Sequence, residues 1–149
     1  MPQSYTSLHY HLIFSTKQRA PSIGADVAAR LYSYLGGILA NIGGTLVEAG
    51  GTADHVHLLA GLSPRVAVAD ALRVIKTNSS KWMHEEVGRR EFGWQDGYGA
   101  FAVSCSNLDR VRQYIRQQEE HHRRMSFAEE LVAFLKRHKV TYDERYIGL

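Results

Sequence analysis

The run Asp-His-Val-His-Leu-Leu at positions 54–59 places two histidines at alternate positions within an apolar stretch. Side chains alternate faces along a β-strand, so His55 and His57 point the same way, about 6 to 7 Å apart along the backbone. Val56 and Leu58 then face the opposite side and can pack into a core. The pattern predicts a buried strand that presents two imidazoles close enough to bind one cation.

The histidine pair alone does not establish a metal site, because a histidine on a strand is more often a hydrogen-bonded structural residue. Two protein classes that use such a pair are disfavoured here. Zinc amidohydrolases carry it on a barrel of about 250 residues, which a chain of 149 residues cannot build. Nucleotide hydrolases with a triple alternation need a third histidine where this chain has Leu59.

The length of 149 residues is that of one domain, with a core expected over about 5–106 and C-terminal helices over about 107–149. An apolar run of about 18 residues, long enough to span a membrane, is missing, and the first five residues lack signal-peptide features. We therefore expect no membrane association and a cytoplasmic location.

The single cysteine, Cys105, excludes an internal disulfide and is expected to be a buried strand residue.

Hydrophobic periodicity and turn residues predict the order strand, helix, strand, strand, helix, strand, followed by two further helices and a C-terminal segment. The strands are predicted at Tyr5–Ser15, Thr45–Ala49, the His-Val-His run and Tyr98–Cys105. The helices are predicted at Ile23–Ile42, about Val66–Val87, about Asn107–Arg124 and Ser126–His138, and the final segment at Tyr142–Leu149. This order is that of an α+β, ferredoxin-like or RRM-like βαββαβ sandwich with an antiparallel sheet, in which the first and third strands are central.

The predicted helix over 107–124 has one face that begins apolar and becomes polar. Tyr114 and Gln118 lie one turn apart on that face, and His122 continues it. A core role is an alternative for Tyr114 alone. Burying an amide without a partner costs about 1 to 3 kcal/mol, so Gln118 at the end of an apolar stripe indicates something to bind.

These residues together resemble the single-tyrosine HUH transposases, the family of small insertion-sequence transposases and REP-associated tyrosine transposases. The resemblance is carried by His55-Val56-His57 with a preceding Asp54, by Tyr114 and Gln118, by the opening strand Tyr10-His11-Leu12-Ile13-Phe14, and by Trp94-Gln95-Asp96-Gly97-Tyr98. It runs in the family's order over roughly Tyr5 to His122. Each motif alone is weak, and the ordered set is specific.

The resemblance implies a metal-dependent endonuclease and strand transferase that acts on single-stranded DNA near hairpins, usually as a homodimer. It implies that His55, His57 and Gln118 hold Mg²⁺ or Mn²⁺. It also implies that Tyr114 is the nucleophile and forms a 5′-phosphotyrosine intermediate, with a free 3′-hydroxyl as the other product. The catalytic tyrosine would be on one of the appended helices.

A net charge of +3 and a pI near 9.1 permit a polyanionic partner without requiring one. Arginines cluster around Tyr114, and we expect Arg110, Arg112 and Arg116 to contact the DNA backbone by neutralising phosphates. Lys76 and Lys81 on the second helix are weaker candidates. Solvated helix faces are the alternative for these charges.

Two other functions compete with this interpretation. A non-catalytic single-stranded nucleic-acid-binding protein shares the sandwich order, but its aromatic signature is missing from the third strand, where histidines stand. A metal-dependent phosphoesterase would use water in place of Tyr114. Within the site, His121 or His122 is a competing ligand or proton carrier, whereas Asp54 is expected to point away from His55.

Overall fold

The computed structural model describes residues 3–147 of the chain. Its strands are β1 (His9–Ser15), β2 (Thr45–Thr52), β3 (His55–Gly61) and β4 (Gly99–Val103). Its helices are α1 (Ala25–Asn41), α2 (Val68–Glu85), α3 (Leu108–Arg116), α4 (Gln118–His121) and α5 (Phe127–Arg137). Within this part of the chain, no helix has the length and apolar character needed to cross a membrane.

The four strands form one antiparallel sheet in the order β2-β3-β1-β4. The predicted α+β class with an antiparallel sheet is therefore confirmed. β2 and β3 pair as a hairpin, and the two central strands pair with Ile13 opposite His57 and Ser15 opposite His55. The histidine pair consequently lies in the middle of the sheet.

Alternation along the central strands divides the interior into two cores, one on each face of the sheet. Leu12, Phe14, Val56 and Leu58 pack with α1 and α2 on one face. On the other face, Ile13 packs with residues of β4 and α5. The strand period therefore places His55 and His57 on the face covered by the C-terminal helices, as their separation by one residue predicts.

Helix α5 begins with a capping box that fixes where its first turn lies. The Ser126 hydroxyl accepts a hydrogen bond from the Glu129 backbone N–H at 3.2 Å, and a Glu129 carboxylate oxygen accepts from the Ser126 N–H at 3.4 Å. These bonds satisfy two N–H groups that helix formation leaves unpaired. The inward face of the helix then starts with the partly buried Phe127 and includes the buried Glu130.

The prediction of one continuous helix over 107–124 is wrong. Helix α3 ends at Arg116, and Gln117 leaves helical geometry with φ −98° and ψ 20°. Helix α4 then starts at Gln118. The break occurs within the segment that carries Tyr114 and Gln118, so the simple helical spacing does not define how these two side chains meet.

Two boundaries at the ends of the sheet also differ from the prediction. The first strand begins at His9, since the residues from Tyr5 to Leu8 make no ladder. The fourth strand ends at Val103, and Cys105 is exposed in a 3₁₀ turn that leads into α3. The expectation of a buried Cys105 is therefore wrong. Of the predicted final segment, Glu144–Tyr146 form a 3₁₀ turn, and 148–149 lie outside the described residues.

At Gly50 of β2, helix α3 packs closely against the sheet. It pairs with His57 across the ladder. A Cβ at this position would overlap the backbone oxygen of Ile115 and lie 2.9 Å from Ile115 Cγ2. Only glycine permits so close a backbone approach, and the close packing holds the residue next to Tyr114 against the strand beside His57.

We expect Gly50→Ala to destabilise the fold by about 1 to 3 kcal/mol, because an added methyl group forces α3 off the sheet. The measurement is thermal unfolding followed by circular dichroism. Gly37→Ala is the matched control, since a Cβ at Gly37 meets no atom within 4 Å and alanine is favoured within a helix. Equal unfolding midpoints for the two variants would contradict the close-packing argument.

Candidate active site

His55 and His57 are fully buried, and both turn their Nε2 atoms toward the C-terminal helices. His57 Nε2 lies 2.9 Å from Glu130 Oε1 on α5. His55 Nε2 lies 3.2 Å from the Gln118 side-chain oxygen at the start of α4. The structure therefore brings together the two predicted histidines and the predicted glutamine, and it adds a carboxylate.

Glu130 is the centre of the cluster, with only 1% of its surface exposed. Its Oε1 atom is 2.9 Å from His57 Nε2 and 3.1 Å from His122 Nε2. Its Oε2 atom accepts hydrogen bonds from the Tyr114 hydroxyl and, at 3.1 Å, from the Gln118 amide. Burial opposes ionisation, but the contacts with His122 and His57 outweigh it and hold the pKa of the Glu130 carboxyl well below its usual range.

Asp54 orients the His55 ring through a hydrogen bond at Nδ1, the nitrogen that faces away from the C-terminal helices. The Asp54 carboxylate accepts a hydrogen bond of 2.7 Å from His55 Nδ1, and Thr52 Oγ1 donates to the same carboxylate at 2.9 Å. The expectation that Asp54 points away from His55 is wrong, because β3 begins at His55 and strand alternation does not extend to the turn residue before it. With Nδ1 donating, the Nε2 lone pair of His55 is free to bind a cation.

His11 orients the His57 ring in the same way, through the Nδ1 atom of His57. The two rings meet through His11 Nε2 and His57 Nδ1 at 2.7 Å, and His11 is almost fully buried. Burial lowers the pKa of His11 to about 3 and that of His57 to about 4, so both rings are neutral at pH 7. A neutral imidazole is the form that binds metal ions. Without a cation, His57 Nε2 donates its hydrogen to Glu130 Oε1, and His57 Nδ1 accepts a hydrogen from His11 Nε2. A cation bound at His57 Nε2 would require the other tautomer, in which Nδ1 carries the proton and donates it to His11.

The residues present fit a divalent cation. Four side chains, those of His55, His57, His122 and Glu130, offer ligand atoms that all lie within 4.8 Å of one another. Neighbouring ligands of an octahedral ion, each about 2.1 Å from it, are about 3.0 Å apart. The two separations from Glu130 Oε1 to the histidine nitrogens, 2.9 and 3.1 Å, match that value. The mixed nitrogen and oxygen donors suit a divalent transition metal or a hard cation such as Mg²⁺.

Tyr114 lies over the histidines of its own chain. Its ring meets that of His57 edge-on at 5.9 Å between centroids, and its hydroxyl donates to Glu130 and lies 3.2 Å from His121 Nε2. Burial and the neighbouring Glu130 carboxylate raise the pKa of Tyr114 above its usual value. The hydroxyl is therefore held in its protonated form, beside the candidate metal ligands.

The arginines predicted to contact DNA flank Tyr114 on α3, and two of them are paired. Arg116 Nε lies 2.7 Å and Arg112 Nε lies 3.6 Å from the same Glu48 oxygen on β2. Arg110 is exposed on the same helix. Arg112 and Arg116 therefore lie beside β2, where Glu48 offsets part of their charge, and Arg110 remains exposed.

The structure does not bring the two candidate lysines to the site. Lys76 and Lys81 lie on α2, which packs on the opposite face of the sheet from the histidines. The Lys76 ammonium donates hydrogen bonds of 2.7 Å to the backbone oxygens of Gln95 and Gly97. These bonds give Lys76 a structural role in holding the loop before β4, whereas Lys81 is exposed.

Glu130 is the site residue that sequence reasoning missed. A signal was present: Glu130 falls between Phe127 and Phe134 on the apolar face of α5, at spacings of three and four residues. A glutamate is almost never fully buried unless it is paired. A charge within an apolar stripe therefore indicates a buried partner, although the sequence does not identify which one.

Comparison with known proteins gives a family for residues 4–118, which match the family described as "Transposase IS200 like". The chain is 29% identical over 119 residues to the ISDra2 transposase TnpA of Deinococcus radiodurans, covering 76% of this chain and 85% of that protein. It is 28% identical over 118 residues to the IS200 transposase of Salmonella typhimurium, covering 74% of this chain and 76% of that protein.

Two solved structures share the fold. A crystal structure of a Deinococcus radiodurans R1 protein, described there as a transposase, matches with a TM-score of 0.64 and 29% identity, over 79% of this chain and 96% of that one. A REP-associated tyrosine transposase bound to a REP hairpin matches with a TM-score of 0.60, over 82% of this chain and 73% of that one. Its 13% sequence identity supports similarity of fold alone.

We expect Asp54→Asn to weaken divalent-cation binding roughly 10- to 100-fold, because the carboxylate that orients His55 and strengthens its Nε2 donor is lost. The measurement is Mn²⁺ titration by calorimetry on the purified chain. Asp96→Asn, an exposed carboxylate before β4, makes the same charge change away from the histidines. An Asp54→Asn variant that binds Mn²⁺ as tightly as this control would show that Asp54 has no role in the site.

Proposed function

Since this chain belongs to the IS200-like transposase family, we propose that it cuts and rejoins single-stranded DNA through a covalent bond to Tyr114. The chain is a transposase of the single-tyrosine kind, and the relatives it matches are named as transposases. One observation carries the assignment of the nucleophile: the Tyr114 hydroxyl shares the Glu130 carboxylate with the buried His57. The contact places the Tyr114 oxygen beside the candidate metal ligands, where a phosphate bound to the cation could be attacked.

The proposed reaction is a transesterification. The Tyr114 oxygen forms a bond to phosphorus, and the bond between phosphorus and the 3′-oxygen breaks. The tyrosine loses a proton and the leaving 3′-oxygen gains one, which gives a 5′-phosphotyrosine and a free 3′-hydroxyl. Because one phosphodiester bond replaces another, a second strand's 3′-hydroxyl can reverse the step and join new ends without ATP.

His55, His57 and Gln118 are the residues we propose to hold the divalent cation, Mg²⁺ or Mn²⁺. Their support is that His55 Nε2 lies 3.2 Å from the Gln118 oxygen and 3.7 Å from Glu130 Oε1, the same oxygen that lies 2.9 Å from His57 Nε2. When bound, such a cation polarises a phosphoryl oxygen and stabilises the negative charge that develops on it. The chain's own part is to orient the ligands, through Asp54 and His11, and to place Tyr114 beside them.

We propose a DNA hairpin as the partner and a homodimer as the working form. A structural relative is bound to a REP hairpin, and the resemblance to dimeric family members supports the second copy. Arg110, Arg112 and Arg116 border Tyr114 on α3 and are suited to contact the DNA backbone. Lys76 and Lys81 are on the other face of the sheet, so any DNA contact they make would lie away from the nucleophile.

The finer fold assignment is a ferredoxin-like sandwich with the catalytic tyrosine on an appended helix. The observed element order and the strand order β2-β3-β1-β4 support it. The family match favours this transposase function over a passive nucleic-acid binder. The contact between Tyr114 and Glu130 favours a tyrosine nucleophile over water.

We expect wild-type protein to form a covalent adduct with labelled single-stranded hairpin DNA in the presence of Mg²⁺ or Mn²⁺. Tyr114→Phe should lose the adduct, because the attacking oxygen is gone, and should keep hairpin binding. The measurement is denaturing electrophoresis for the adduct and a native mobility shift for binding, with hairpins from both flanks of the gene.

Tyr34→Phe serves as the matched control, because Tyr34 is partly exposed on α1, on the opposite face of the sheet. This variant should form the adduct at the wild-type level. Cleavage retained in Tyr114→Phe would indicate a water-using phosphoesterase. Tight hairpin binding by the wild-type protein with no adduct on any flanking substrate would indicate a binding protein.

A further inference from the structure

We propose that Glu130 links the cation to the nucleophile: its Oε1 atom is a ligand of the divalent cation, and its Oε2 atom positions the Tyr114 hydroxyl. The inference rests on the proposed function and adds to it a residue from outside the predicted set of ligands. It makes Glu130 a ligand toward the histidines and a positioning residue toward Tyr114.

The Oε1 side of Glu130 is arranged as a ligand. His57 Nε2 at 2.9 Å, His122 Nε2 at 3.1 Å and His55 Nε2 at 3.7 Å surround this one oxygen. Three imidazole nitrogens and one carboxylate oxygen converging in a buried space form a donor set for a divalent cation. A cation among them would also offset the buried negative charge of the carboxylate.

The Oε2 side of Glu130 is arranged to hold Tyr114. It accepts the Tyr114 hydroxyl hydrogen and, at 3.1 Å, a hydrogen of the Gln118 amide. The Gln118 oxygen turns the other way, to His55 Nε2. Gln118 therefore fixes the rotation of the carboxylate. As a result, Oε1 faces the histidines and Oε2 faces Tyr114.

Glu130 also ties a separate element to the site. Of the four clustered residues, His55 and His57 lie on β3 and His122 directly follows α4, whereas Glu130 lies on α5. If Glu130 is a ligand, the cation fastens α5 against the sheet. If it is not, a cation held by the histidines has no direct bond to α5.

The first test compares Mn²⁺ binding by the full chain and by Glu130→Gln, using calorimetry. We expect the variant to bind roughly 10- to 100-fold more weakly, since removal of a residue supporting a metal site costs about that much. Glu119→Gln, an exposed glutamate on α4, removes the same charge and should bind like wild type. Equal affinity of Glu130→Gln and wild type would overturn the ligand role. No Mn²⁺ binding by wild type would overturn the proposed cation site itself.

A second measurement on the wild-type chain keeps the test independent of how the variant folds. Hydrogen exchange of the α5 amides, residues 127–137, should slow when Mn²⁺ is added, because the helix is then bound to the sheet through the ion. Slower exchange on β3 and α4 with no change on α5 would overturn the proposal.

The positioning role has its own readout. At saturating Mn²⁺, Glu130→Gln retains a side-chain oxygen able to accept the Tyr114 hydrogen, whereas Glu130→Ala has none. We expect Glu130→Gln to form the DNA adduct about 10-fold faster than Glu130→Ala, since loss of orientation slows a reaction by that order or more. Equal rates for the two variants at saturating Mn²⁺ would show that Glu130 does not position Tyr114.

Discussion

One buried carboxylate, that of Glu130, is hydrogen-bonded to residues of β3, α3 and α4 in the candidate site. Glu130 is buried to 1% exposure, and leaving such a charge without partners costs about 3 to 5 kcal/mol. Its partners come from four parts of the chain: His57 on β3, Tyr114 on α3, Gln118 on α4 and His122 after it. The hydrogen bonds of one buried carboxylate therefore join the C-terminal helices to the sheet and place the Tyr114 hydroxyl beside the histidine pair.

One face of the sheet packs against the main apolar core, and the other face carries the candidate site. Leu12, Phe14, Val56 and Leu58 are fully or almost fully buried against α1 and α2, and that core alone supplies most of the large apolar side chains. The opposite face accepts the polar cluster because its apolar core is small and lies to one side, around Ile13 and Phe134. A strand that alternates apolar and histidine residues serves both faces at once.

Much of this arrangement follows from the sequence, and the rest depends on tertiary packing. Strand alternation placed His55 and His57 together, and the sequence named Tyr114 and Gln118 as neighbours although the single helix predicted to carry both is broken between them. The break at Gln117, the contact of Asp54 with His55 and the location of Glu130 were not predicted, since each depends on where a turn or an appended helix meets the sheet. In the sequence, Glu130 stands out only as a charged residue on an otherwise apolar helix face. Its partners lie up to 73 residues away along the chain, so the sequence does not identify them.

The proposed cation would lie between the sheet and α5, beside Tyr114. The most direct test is anomalous X-ray scattering from a crystal of the chain grown with Mn²⁺. We expect one peak within coordination distance of His55 Nε2, His57 Nε2 and Glu130 Oε1. A peak bound by the histidines with Glu130 turned away would contradict the role of α5, and no peak at the histidines would contradict the site.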